Sequence, residues 1–347
     1  MNSILKKHTF LLSQSNLYPV IIWLFSAISC FGQFSIHGTY DTYLANSFSS
    51  KDTLTFLVSH SAINQMDVNL FELEFRQEYK HLTLHFAPAM GSYMRRNYAS
   101  EAFWRRNVYE AYAELNVKKT KVAYGSFSSP YTQETPRGVD QLLYTRSLSA
   151  EYVPYYVAGL RWTQLWSEKF TSQMFLTNGW QRLNFTLVRP SIGALFQWKF
   201  DTWNLNWSHF YGDVAPIGKL TPELGLNRRR FFQELNAAHQ MQRWTLQSCV
   251  YLGAQKRNGD SSLKWWGQAN LQAAYALHPK LNLVGRAELF YDPKQVVFAY
   301  DAGAFGSLSV GWQYGITANL QVAQEFRYFK GKQTNIPVCY SFLRLKF

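Results

Sequence analysis

Glu110 and Glu114 lie among apolar residues in the stretch 109–117, and Arg286 and Glu288 do the same in 281–289. Arg161 and Arg327 sit in similar alternating surroundings. Charge at every second position puts carboxylates and guanidiniums on one face of a strand and apolar groups on the other. A second charged set lies in one long polar stretch, 128–154, which holds Tyr131, Glu134, Arg137, Asp140, Arg146 and Glu151. If that stretch folds into an enclosed wet space lined by the first set, acidic loop groups facing basic wall groups would set up a transverse field that orients polar solutes. If it only covers a mouth, its charges are solvated or paired. Arg146 stands out, because an arginine within the otherwise apolar stretch 142–148 needs a partner.

Other chemistries have little support. The 8 histidines are spread out, and none has the spacing of a metal-ligand pair. His85 and His209 read as wall residues rather than ligands. No glycine-rich phosphate loop leads from a strand into a helix. Ser208 and His209 are neighbours on a strand and point to opposite faces, so they cannot act together as nucleophile and base. The expectation is no catalytic residue, no metal and no cofactor. The 3 cysteines, Cys30, Cys249 and Cys339, form no disulfide framework, and the last two read as small wall or lipid-facing residues.

The elements that position the charges are strands. Phe71, Leu73 and Phe75 oppose Glu72, Glu74, Arg76 and Glu78. Tyr109, Ala111, Ala113, Leu115 and Val117 oppose Glu110, Tyr112, Glu114 and Asn116. Ile192, Ala194, Phe196, Trp198 and Phe200 oppose Gln197 and Lys199, and Leu281, Leu283, Ala287 and Leu289 oppose Asn282, Arg286 and Glu288. Ile316, Ala318, Leu320 and Val322 oppose Thr317, Asn319, Gln321, Glu325 and Arg327. A soluble sandwich would alternate as well. The connection lengths break the tie. Tight links at 78–81, 118–121, 167–169, 201–202, 240–243, 278–280 and 314–315 alternate with long links near 46–64, 88–106, 128–154, 178–190, 211–229, 255–263, 292–304 and 330–336. This predicts an all-β, antiparallel, up-and-down transmembrane barrel of about 16 strands, within a range of 14 to 18.

Composition agrees. Aromatic residues make up 17% of the chain, and Trp162, Trp166, Phe170, Trp198, Phe200, Trp203, Trp244, Trp312 and Tyr314 gather beside the tight links, as an interfacial girdle would. Mean hydropathy is −0.24, which excludes a bundle of membrane helices. The net charge of +13 falls to +11 without Lys6 and Lys7. The basic clusters Arg95-Arg96, Arg105-Arg106 and Arg228-Arg229-Arg230 lie in or beside expected outer loops. They suit a lipopolysaccharide surface or a pore mouth better than nucleic acid.

Both ends carry targeting features. Lys6, Lys7 and His8, then the apolar run 20–28, then Cys30 and Gly32, form an export signal with cleavage after Gly32. A lipoprotein signal ending at Cys30 is the alternative, but Ala27 stands where leucine is usual. Residues 33–347 then form one barrel domain. Its last stretch puts Leu343, Leu345 and Phe347 opposite Phe342, Arg344 and Lys346, and a terminal Phe347 resembles the signature read by the outer-membrane barrel-assembly machinery.

Residues 106–181 resemble the OmpL-like β-barrel porins, found among others in Bacteroidetes-type bacteria. The likeness rests on Asn107-Val108-Tyr109-Glu110-Ala111-Tyr112, on Tyr124-Gly125-Ser126-Phe127 as a turn into the long loop, and on Leu143-Tyr144-Thr145-Arg146-Ser147-Leu148. It continues in Pro154-Tyr155-Tyr156-Val157-Ala158-Gly159 and Thr177-Asn178-Gly179-Trp180-Gln181. The resemblance implies an outer-membrane barrel that passes small polar solutes and has no catalytic residues. The positive charge tilts that expectation toward anions. A barrel with a blocked lumen, serving structure, adhesion or surface-glycan binding, is the competing expectation, and a lipid-hydrolysing barrel is a more distant one. A homo-oligomer is compatible with such a barrel, but no interface is legible.

Overall fold

The computed structural model describes residues 32–48, 52–183, 190–214, 229–256 and 262–347; the expected export signal and Cys30 lie outside the described residues. The chain forms a closed barrel of 16 antiparallel strands, each paired to its sequence neighbours. They are β1 (Gln33–Ser47), β2 (Gln65–Glu78), β3 (Leu82–Met90), β4 (Val108–Val117), β5 (Thr120–Ser128), β6 (Tyr156–Ser167), β7 (Phe170–Thr177) and β8 (Ser191–Lys199). There follow β9 (Trp203–Asp213), β10 (Arg229–Gln240), β11 (Trp244–Lys256), β12 (Leu263–His278), β13 (Leu281–Asp292), β14 (Gly303–Gly315), β15 (Leu320–Lys330) and β16 (Asn335–Lys346). The first and last strands close the wall in a register running from Thr39 opposite Lys346 to Ser47 opposite Val338. Closure leaves no edge strand, the condition for a sheet to sit in lipid.

Exposure settles which face is which. Leu289 and Leu308 are 55% and 61% exposed, whereas Arg327 and Arg344 are fully buried. The apolar stripe faces outward and the charged stripe inward, the reverse of a soluble protein. Trp162, Trp166, Phe200, Trp203, Trp244 and Tyr314 are exposed beside the short links, so the expected girdle is present at that end. Among the described residues no helix is long and apolar enough to cross a membrane, which has no bearing on a wall of strands.

The interior is not an empty tube. Wall aromatics Tyr43, Phe210, Phe232, Tyr251, Phe290, Phe329 and Tyr340 form one buried cluster with Phe56, Tyr131, Tyr144 and Phe298 from the links. Three long links thus bring apolar groups to the inner side of the wall, toward the long-link end.

Three local expectations change. The link between β14 and β15 is at residues 316–319, one step later than 314–315, so Ile316 and Ala318 are turn residues rather than strand residues. The Thr317 hydroxyl accepts from the amides of Asn319 and Leu320 at 3.2 and 3.0 Å, and this local turn chemistry overrides the alternation. Tyr109 faces inward, not outward. Ala87 pairs with Glu110 but Pro88 pairs with Val108, leaving Tyr109 as the extra residue of a bulge opposite a proline that cannot donate to the ladder. Gly125-Ser126-Phe127 is strand, not turn. Gly125 pairs with Gly159, both at φ near +150°, and a Cβ at Gly125 would overlap the Ala111 carbonyl.

Candidate functional site

The long link between β5 and β6 bonds to inward-facing side chains of β12–β16 and β2 and, through Glu151 and Tyr152, to the β1–β2 link. From the wall, Arg286 donates through Nη1 to the Thr145 carbonyl and through Nη2 to the Thr145 hydroxyl, both at 2.7 Å. Arg327 donates to the Arg146 carbonyl at 2.9 Å, and Arg344 to the carbonyls of Gly138 and Tyr144. From the loop, the amides of Thr145 and Leu148 donate to the carboxylates of Glu325 and Glu288 at 3.0 and 2.6 Å. Backbone groups of the loop therefore satisfy the charged wall, as buried polar groups require.

The ten singled-out residues fall into separate groups rather than one ring. Arg286, Glu288 and Arg327 form a single cluster on β13 and β15. Arg286 Nη2 lies 3.1 Å from Glu325, and Arg327 pairs with Glu288. Arg137 reaches the wall at Glu72, donating through Nε at 2.7 Å, and lies over the Tyr109 ring. Asp140 is exposed and sits 3.4 Å from Lys346. Glu134 stays within reach of its own loop, accepting from the amide and hydroxyl of Ser147, and takes one wall bond from Gln272 at 2.6 Å. On the other side of the barrel Glu114 binds Arg161 at 2.8 Å, and Glu110 accepts from the Ser128 amide at 2.7 Å beside His85. His209 is on the outer face between Phe196 and Trp207.

Among the described residues Arg146 finds no carboxylate. It donates to the Glu134 carbonyl at 3.3 Å and lies over the rings of Tyr155 and Tyr93, with Nε and Nη1 unbonded. Burial opposes its charge, but Tyr93, Glu151, Tyr155 and Glu134 outweigh that and hold its proton more tightly than water would.

The pairing differs from acidic loop against basic wall. Arg286, Arg327 and Arg344 are neutralised by Glu325, Glu288 and Asp41 of the wall itself, while the loop contributes mostly backbone to them. Asp41, Glu72, Glu325 and Arg344 were not among the singled-out residues. Each has the right parity on its strand, but only the fold shows its partner. Arg230, at the edge of a basic cluster expected in an outer loop, is instead buried between Trp180 and Trp266 and donates to Gln255 at 3.0 and 2.8 Å. Of the two described cysteines, Cys339 is exposed on the outer face and Cys249 is buried on the inner one.

The family model described as "Putative beta-barrel porin-2, OmpL-like" matches residues 33–338. The chain belongs to this OmpL-like porin family. It is an outer-membrane β-barrel porin, and family and fold point to a channel. Solved structures share the fold at low identity. The anion-selective porin from Comamonas acidovorans is 9% identical, with 91% of this chain and 100% of that one covered, at a TM-score of 0.65. The in-vitro folded trimer form of OmpT, an outer-membrane protein of Vibrio cholerae, is 8% identical with 91% and 100% covered, at 0.63. A porin mutant from Rh. blastica is 12% identical with the same coverage, at 0.55. No curated protein sequence matches the chain.

Proposed function

We propose that this porin passes small polar solutes by passive diffusion and that residues 128–154, folded into the lumen, narrow it. The observation that carries the reading is the double attachment of Thr145 to Arg286 and Glu325, which ties the loop to the inner wall. Glu110, Glu114, Glu134, Arg137, Asp140, Arg146, Arg161, Arg286, Glu288 and Arg327 then act in two ways. Those in the buried ion pairs of β13 and β15 hold the loop, and those reaching water bias the entering solute.

The net positive charge supports a preference for anions, in keeping with the anion-selective neighbour. Assembly as a homotrimer is proposed by analogy with the trimeric neighbour. Export by residues 1–32, insertion by the barrel-assembly machinery through Phe347, and contact of the outer arginines with lipopolysaccharide complete the reading.

Planar-bilayer conductance of the purified protein tests it. Stepwise currents with a reversal potential favouring chloride over potassium are expected; folded protein that gives no current would reject a channel.

A further inference from the structure

The loop is tied to only one side of the barrel. Its bonds go to β12–β16 and β2; Arg137 at Glu72 is partly exposed, whereas the arginine–carboxylate groups of β13, β15 and β16 are fully enclosed. A solute passing there would have to break buried ion pairs, each a step of several kcal/mol. On the other side, between the loop and β7–β10, lies a cavity of about 480 Å³ open toward the short-link end.

Its lining differs in kind from the tied side. Thr132 and Gln133 of the loop face Thr171, Gln197 and Asn206 of the wall, while Glu168, Lys169, Lys199 and its register partner Asn204 form the exposed rim. Hydroxyls and primary amides both donate and accept without carrying charge. Much of that capacity is unused. Among the described residues Gln197 donates to Asn206 at 3.3 Å and Thr132 accepts from the Glu134 amide, while Gln133 Nε2 is buried with no partner. Above the chamber Tyr131 narrows the way to the outer end. It is fully buried against Phe210 and Phe232, its hydroxyl has no partner among the described residues, and a Cβ on Gly193 would overlap that hydroxyl.

We propose that this chamber is the solute-binding part of the passage and that it takes uncharged polyhydroxylated solutes of the sugar class, with Tyr131 as its ceiling. Neutral solutes can exchange water for amide and hydroxyl partners here. An ion entering the chamber would shed water and meet no fixed counter-charge beyond the rim. The inference rests on the porin reading and adds to it the route and the solute.

The test uses the full mature chain with Cys249→Ser and Cys339→Ser, carrying Asn206→Cys and, separately, Thr132→Cys in case the first fails to fold. Each is reconstituted into liposomes, and glucose uptake is compared before and after labelling with a bulky water-soluble methanethiosulfonate. Labelling is expected to cut glucose flux about tenfold, and in the unlabelled protein glucose should outpace glutamate and lysine. Undiminished glucose flux after complete labelling, with ion current still present, overturns the chamber as the route and leaves the porin reading intact. Faster entry of either charged solute than glucose overturns the solute class. Absence of both flux and current from folded, unlabelled protein removes the porin reading itself.

Discussion

Arg286 and Glu325 face each other across β14, 3.1 Å apart, and both hold Thr145 of the long loop. One ion pair on the wall is therefore also the socket of a segment far away in sequence. Removing one member of such a buried pair leaves its partner uncompensated, which is more damaging than losing an exposed pair.

Glu325→Gln is expected to lower stability by about 3 kcal/mol and to free the loop around Thr145. Urea titration in detergent reads the first effect. Faster proteolytic nicking within residues 128–154 reads the second, and nicking at the wild-type rate would show that the loop does not depend on this pair.

Gly138 lies directly against the Arg344 guanidinium, and a Cβ there would overlap it. Gly138→Val should push Arg344 away from Asp41 and from the Gly138 carbonyl, at a cost of about 1–3 kcal/mol. Single-channel records should become noisier as the loop leaves the seam. Quiet wild-type currents would mean that the loop is held by its other bonds alone.

Tyr131→Ala removes the ring between Phe210 and Phe232. Unitary conductance is expected to rise while the barrel stays folded by heat-modified gel mobility. A conductance equal to that of the wild type would place the narrowest point elsewhere.

Phe347 exchanges two backbone hydrogen bonds with Gly38, at 2.7 and 3.0 Å, and its ring occupies the space above that glycine. Deleting Phe347 should cost about 1 kcal/mol per lost bond and slow folding into lipid vesicles. Kinetics unchanged from the full chain would separate the terminal residue from insertion.

Much of this molecule can be read locally. Period two places Arg286, Glu288 and Arg327 on the inner face, and the tight links set the strand number, because alternation and turn chemistry each span only a few residues. What fails is where one local rule overrides another. Ile316-Thr317-Ala318-Asn319 keeps the alternation, yet the Thr317 hydroxyl makes it a turn. Tyr109 keeps its parity, yet Pro88 on the neighbouring strand forces a bulge. Partner choice is least legible. Arg344 meets Asp41 across 303 positions, and nothing near either residue announces the other. Arg146 does find company, as its apolar surroundings demand, but the company is Tyr155 and Tyr93 rather than a carboxylate.

The position of Arg344 on β16 has a consequence for how the molecule is made. The side chain that clasps Gly138 and Tyr144 is carried by the strand that completes the ring. Until that strand arrives, the middle of the chain has no finished cradle to settle into. Ring completion and the last part of loop docking are thus coupled, because Arg344 is held by Asp41 of the first strand while it clasps the loop.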